Sequence, residues 1–311
     1  LPDDSADFSA PPAPVPRHLP RSDEATLEGH EKQGFPEKRL RVVSCGGVFD
    51  SHCHLAFPEL AAARDEWIAD ARRRGVRGWL VPGCSERQWN DLWPLRRYEG
   101  VVFAVGIHPW WAHEVEDVDA TLAGLSRALD EPGVVALGEC GLDALRVEKA
   151  PLSRQVNLLE AQLRLARERD LPLVLHQVRA QSEFLHAVER VGLGPAGAVV
   201  HGFSGTKEWA ATLVKKGFRL GIGLSATRPE RAKLREAVAS VPLERCLVET
   251  DAPDQRPTNA TRSHGVPADV TRVISELAGI FGLSEDEVGT TTEVNARRFF
   301  GLPAASGSGS T

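Results

Sequence analysis

The chain has no methionine, no Cys-x-x-Cys pair, no excess of positive charge and no long apolar run. Each absence removes a class of answer. Without 18 or more consecutive apolar residues no segment reaches transmembrane length. Nor does the N-terminal region show the basic, apolar and small-residue succession of a signal peptide. A soluble, cytoplasmic protein with no membrane contact is expected. The five cysteines, Cys45, Cys53, Cys84, Cys140 and Cys246, are dispersed and odd in number. That excludes a disulfide framework and points to reduced thiols in a core. With 37 basic against 43 acidic residues the formal net charge is -6, which leaves no broad basic face for nonspecific nucleic-acid binding. A nucleic-acid substrate would have to be attracted locally. The lack of methionine extends to position 1; it suggests a trimmed chain and says nothing about mechanism.

What is present is enough for one large core. The 311 residues are 42% hydrophobic, and roughly 250 residues make a single α/β barrel. Seven of the 21 prolines fall between Leu1 and Pro36, so residues 1–41 are expected to be a disordered proline-rich extension. Residues 304–311, Ala-Ala-Ser-Gly-Ser-Gly-Ser-Thr, read as a flexible tail. Between them, in residues 42–303, short apolar runs alternate with helical patterns, the signature of βαβ units and a parallel sheet buried on both faces. Eight runs stand out: residues 42–49, 78–81, 101–107, 134–137, 173–175, 198–200, 218–222 and 246–248. Val156, Leu159, Leu163 and Ala166 recur at helical spacing. The fold expected is α/β, a TIM-type (β/α)8 barrel, although the strand count alone also allows an open sheet.

The chemistry lies at the ends of these runs. Asp50-Ser51-His52-Cys53-His54 follows the first run, and side chains two apart on an extended backbone face the same side. Glu139, His176, His201 and Asp251 each follow a different apolar run. In a barrel all C-terminal strand ends open on one mouth, so His52, His54, Glu139, His176, His201 and Asp251 converge as metal ligands. Six ligands exceed one tetrahedral zinc site but suit two divalent ions about 3.5–4 Å apart. Glu139 is the natural bridge. The imidazole-rich set favours zinc, manganese, cobalt or iron over magnesium.

Catalysis is assigned to Asp251, as acceptor of the water proton, and to Glu139. Around the ligands, Glu249 and Asp50 either orient a ligand histidine or form structural ion pairs. His108 and Asp143 either contact substrate or hold their loops. Trp110 and Trp111 either stack on a base or pack the rim. The run Arg72-Arg73-Arg74 reads as a solvated helix face.

The segments Phe49-Asp50-Ser51-His52-Cys53-His54-Leu55, Gly106-Ile107-His108-Pro109, Gly138-Glu139-Cys140-Gly141-Leu142-Asp143, His201-Gly202-Phe203-Ser204-Gly205 and Glu249-Thr250-Asp251-Ala252-Pro253 resemble, in order and spacing, the TatD-type metal-dependent hydrolases. The wording around His201 and Asp251 resembles the YjjV-like branch. The resemblance runs from about residue 42 to 303. It implies a TIM barrel of the metallo-dependent hydrolase kind, divalent metals, phosphoester hydrolysis with deoxyribonuclease activity, and the same six ligands. One departure stands out. The family usually has Arg two residues after the fifth-strand His; here that position is Val178, with Arg179 beside it as the candidate phosphate contact.

The leading expectation is a phosphodiesterase acting on DNA, trimming single-stranded ends, with no obligate protein partner. The alternatives are a metal-dependent ester hydrolase, such as a D-aminoacyl-tRNA deacylase, and a non-catalytic metal-binding scaffold.

Overall fold

A computed structural model describes residues 47–258 and 260–304. The expected N-terminal extension, the first residues of the expected first strand including Cys45, and the expected tail beyond residue 304 lie outside the described residues.

Eight strands follow one another around a single sheet in the order β1-β2-β3-β4-β5-β6-β7-β8, every neighbouring pair parallel. They are β1 (Val48–Asp50), β2 (Val76–Gly83), β3 (Val101–Val105), β4 (Val134–Asp143), β5 (Leu173–Val178), β6 (Ala198–Val200), β7 (Arg219–Ile222) and β8 (Cys246–Val248). The α-helices between and after them are α1 (Pro58–Ala61), α2 (Arg64–Arg73), α3 (Glu86–Leu92), α4 (Val118–Ala128), α5 (Leu152–Glu168), α6 (Gln181–Val191), α7 (Lys207–Lys215), α8 (Ala232–Ala239), α9 (Val270–Phe281) and α10 (Glu285–Phe299). The alternation read from the apolar runs is therefore a nearly closed barrel and not an open sheet.

Closure is made by the chain just past the strands. The amide of Ser51 donates to the carbonyl of Val248 (2.9 Å), that of Asp251 to His52 (2.8 Å) and that of His54 to Ala252 (2.8 Å). Deeper in this seam the buried carboxylate of Asp50 accepts from the amide (2.9 Å) and hydroxyl (2.7 Å) of Thr250. Burial pushes the Asp50 carboxyl up to about 8, partly offset by those hydrogen bonds.

Inside the barrel Phe49, Leu80, Ala104, Ala136, Val174, Val199 and Leu247, one from each strand except β7, form a cluster of their own, joined by Phe299 and Phe300. A larger core lies between strands and helices. Helix α5 shows how a helix is attached: Leu159, Leu163 and Ala166 are buried, each fully buried leucine contributing about 1.5–3 kcal/mol. Gln155 and Gln162 are buried with them and face the sheet. Gln162 accepts from the amide of Ile107 (2.8 Å) and donates to its carbonyl (3.1 Å). Gln155 does the same for the amide (2.8 Å) and carbonyl (3.1 Å) of Asp143. Two side-chain amides thus fix the exits of β3 and β4, where backbone groups would otherwise be left without partners.

Several boundaries depart from the apolar runs: β2 extends past its run at both ends, and β5 continues to Val178, carrying His176 within the strand. The expected fourth strand stopped at Leu137, but β4 continues to Asp143, carrying Glu139 within the strand. Hydrophobicity fails as a guide there because Gly138, Glu139 and Gly141 interrupt it. Gly141 has φ 150°, and a Cβ at that position would meet the His176 carbonyl oxygen at 1.9 Å. The third strand ends at Val105, before the expected residue 107. Cys53, Cys84, Cys140 and Cys246 are free and buried, as expected for core thiols. Of the arginine run, Arg73 and Arg74 pair with Asp70 on α2 (2.9 and 3.1 Å). Among the described residues no helix is long and apolar enough to cross a membrane.

Candidate metal centre at the barrel mouth

The two carboxylate oxygens of Glu139 divide the candidate ligands into two groups. Around Oε2 lie Nε2 of His52 (3.1 Å) and Nε2 of His54 (3.7 Å). Asp251 Oδ1 stands 3.8 and 3.5 Å from those same nitrogens. Around Oε1 lie His201 Nε2 (2.7 Å), His176 Nδ1 (3.0 Å) and His108 Nε2 (3.1 Å). Glu139 is only 2% exposed, so both oxygens depend on these partners.

Facing nitrogens make the case for cations. His52 Nε2 and His54 Nε2 are 3.2 Å apart, as are His176 Nδ1 and His201 Nε2. A single proton between two such nitrogens satisfies both only by leaving the nearby carboxylates less well served. A divalent ion accepts lone pairs from nitrogen and oxygen together, and imidazole with carboxylate is a donor set suited to zinc, manganese, cobalt or iron. Triads within ligand distance of one another include His52, His54 and Glu139 around one oxygen and His52, His201 and Asp251 spanning the two groups; His108, Glu139 and His176 are equally close.

For His176 and His108, hydrogen bonds on the far side of the ring decide which nitrogen is free. Asp143 Oδ2 accepts from His176 Nε2 (3.3 Å) and from Trp110 Nε1 (2.7 Å). With its proton on Nε2, neutral His176 turns a lone pair on Nδ1 toward Glu139. The Glu249 carboxylate accepts from the amide of Gly202 (2.5 Å) and stands 3.6 Å from His201 Nδ1, close enough to act on that ring electrostatically but beyond hydrogen-bond distance. Room for Glu249 comes from β7: a Cβ on Gly221 would meet its Oε2 at 2.2 Å. His108 is arranged the other way. Its Nδ1 accepts from the backbone amide of Trp110 (3.1 Å), and an amide can only donate, so neutral His108 carries its proton on Nε2. Burial pushes His108 down to about 4, keeping it neutral near pH 7. It offers the cavity an N–H and not a lone pair.

Charges follow from this packing. Burial alone would raise Glu139, but the surrounding imidazoles of His201, His108 and His52 hold it well below the usual carboxylate range. Asp251, opposed by burial but hydrogen-bonded to His54 and close to His201 and His52, is brought down to about 2. Burial lowers His52, whereas Glu139 outweighs burial and raises His201. Asp251 has φ 52°, a left-handed conformation that aspartate tolerates better than most residues. Its amide bond to His52 secures it.

A match to the TatD-related DNase family spans residues 49–301. The chain belongs to the TatD-type metal-dependent hydrolases. It is 33% identical over 257 residues to the protein named uncharacterized metal-dependent hydrolase YjjV of Escherichia coli (strain K12), covering 82% of this chain and 98% of that protein. It is 34% identical over 265 residues to the 3'-5' ssDNA/RNA exonuclease TatD of Erwinia billingiae (strain Eb661), covering 83% and 100%. The crystal structure of Escherichia coli YjjV superimposes with a TM-score of 0.76 at 32% identity, over 82% of this chain and 98% of that one. A TatD-family hydrolase from Entamoeba histolytica, at 18% identity, shares the fold with a TM-score of 0.72, over 82% and 99%.

In this TatD-type barrel five of the six expected ligands, His54, Glu139, His176, His201 and Asp251, line one cavity of 370 Å³ with His108, Trp110, Trp111 and Phe57, while His52 is fully buried behind Glu139. Asp50 touches no imidazole ring; apart from the Thr250 pair it accepts from the amide of His52 (3.3 Å). Arg179 is exposed, with φ 50°, just beyond β5, and is not among the residues lining the cavity. Three lining residues went unassigned in the sequence, the first being Phe57, whose ring stacks on His54 with centroids 4.4 Å apart. Asp254 groups with His54 and Asp251 at ligand distance; its signal was the spacing Asp-Ala-Pro-Asp. Cys84 Sγ lies 3.8 Å from Glu139 Oε2; it follows β2, so the strand-end rule that found the histidines reaches it too.

Proposed function

We propose that the chain is a two-metal phosphodiesterase that removes nucleotides from the 3' end of single-stranded DNA. The observation that carries this reading is the division of ligands between the two oxygens of Glu139. His52, His54 and Asp251 would hold one ion, His176 and His201 the other, with the carboxylate shared. Ions bound there supply Lewis acidity toward the phosphoryl oxygens and acidify a water to serve as nucleophile.

The protein's own groups do the rest. Asp251, ionised at neutral pH, accepts a proton of the attacking water at a carboxylate oxygen. His108, whose Nε2–H faces Glu139 Oε1 at 3.1 Å, would turn that N–H to charge accumulating on a phosphoryl oxygen once ions take up the carboxylate. Asp143 holds the ring of His176 through the reaction, and the carboxylate of Glu249 acts electrostatically on that of His201. The 370 Å³ cavity, set at the mouth of the barrel, admits a chain terminus more readily than continuous duplex, and the named exonuclease relatives support the choice of substrate and direction.

The test is to load the protein with manganese, cobalt or zinc and offer single-stranded DNA labelled at either end, duplex DNA, RNA and D-aminoacyl-tRNA. Release of mononucleotides from the 3' end of the single strand, with two ions bound per chain, is the expected outcome. Cleavage of the aminoacyl ester alone would replace this reading with the ester hydrolase. A full complement of metal without turnover of any substrate would leave a scaffold.

A further inference from the structure

Trp111 is half-buried and is a wall of two cavities at once. One is the candidate metal cavity; the other is a 420 Å³ cleft lined by residues after β2 and β3 and by α3 and α4. Ile107 and Val115 give this cleft buried apolar surface. Its neutral polar groups are Ser85, Asn90 and Thr121, while the charged residues that line it, Glu86, Arg87 and Glu114, all stand at its exposed rim. Ser85 stands at the N-cap of α3, yet its side chain makes no capping bond. Arg87 approaches Glu114 only to 3.9 Å, too far for a hydrogen bond.

An aromatic plane beside an apolar floor, with neutral groups that both donate and accept, does not describe a phosphate site, which would gather cations. It describes the surroundings of a flat heterocycle with polar edges. The cleft volume lies within the range usual for small-molecule sites, and a single indole separates it from the metal centre.

Resting on the nuclease reading above, we infer that this cleft is a nucleobase subsite: the base of a nucleotide flanking the scissile bond stacks on Trp111 and meets Ser85, Asn90 and Thr121 with its edge. Arg87 then lies where the strand's next phosphate leaves the cleft. The subsite gives a barrel with little positive charge a hold on nucleic acid that depends on stacking.

The experiment uses the metal-loaded full chain and a series of fluorescein-labelled single-stranded oligonucleotides, each with one abasic nucleotide at a successive position from the 3' end. In the wild type, an abasic nucleotide at one position beside the scissile bond lowers kcat/KM roughly tenfold and weakens binding, read by anisotropy, by a similar factor. In Trp111→Ala that positional penalty disappears, because the intact base has nothing left to stack on. A second variant, Thr121→Phe, fills the cleft while keeping the indole and abolishes the same penalty. Thermal unfolding of both variants near the wild-type midpoint shows that they are folded. An abasic profile that is flat in the wild type, or unchanged in both variants, overturns the subsite. Failure of the wild type to cleave any oligonucleotide overturns the nuclease reading, and the subsite with it.

Discussion

The two sides of Glu139 are built by different means. The Oε2 side is a backbone structure: His52, His54 and Asp251 sit on the seam where the first and last strands meet, tied by amide-to-carbonyl bonds and by Asp50 clasping Thr250. The Oε1 side is a side-chain structure, in which His176 leans on Asp143, His201 on Glu249 and His108 on the amide of Trp110. Rigidity on the first side comes from the fold itself. On the second it comes from three separate partners, each of which can be altered without opening the barrel.

The largest effect should come from the residue common to both sides. Glu139→Ala should lose both ions, measured by elemental analysis, with activity falling roughly a thousandfold or more. If the variant keeps two ions, the sides do not share a ligand. Next is His108→Ala, expected to lower kcat about a hundredfold while both ions remain, since His108 presents a proton and no lone pair. Loss of one ion in this variant would place His108 among the ligands. Asp143→Asn should weaken a single ion by about 10- to 100-fold, so that titration changes from two similar sites to one tight and one weak. Equal weakening of both would erase the distinction between the sides. Smallest in activity, and different in kind, is Asp50→Ala. It strips Thr250 of two bonds and should cost about 1–3 kcal/mol of stability, seen as a lower unfolding midpoint by calorimetry. An Asp143→Asn protein destabilised to the same extent would show that both sides are structural.

The fold was legible because strands buried on both faces must be apolar, and β6 and β8 coincide with their runs. Glu139 was legible as a site residue but not as a residue within a strand, since β4 continues through glycines that supply no hydrophobic signal. The six expected ligands could be read from strand ends because a parallel barrel sends all those ends to one place. His108 required more. Its spacing resembles that of the ligands, and only the amide of Trp110, a partner set by the local turn, reveals which nitrogen bears the proton. The attachment of β3 and β4 by Gln155 and Gln162 was hidden for a related reason: a glutamine among helical leucines looks like solvent-facing polarity until the exposed backbone of another element meets it. Arg179 was inferred from a displaced motif, and a shift of one residue in an extended segment changes the side to which a side chain points.

The Asp50–Thr250 clasp joins positions 200 residues apart in sequence. Loop closure over such a length is entropically costly, and contacts this distant slow folding. During synthesis, therefore, the histidines near the start of the barrel emerge long before the aspartate that completes their ion site. A nascent chain can gather His52 and His54 early, but it can hold its first ion in the finished geometry only after the eighth strand has left the ribosome. If ions are held as proposed, capture on this side is a late event in biogenesis, and scarcity of metal would be felt after the barrel closes, not before.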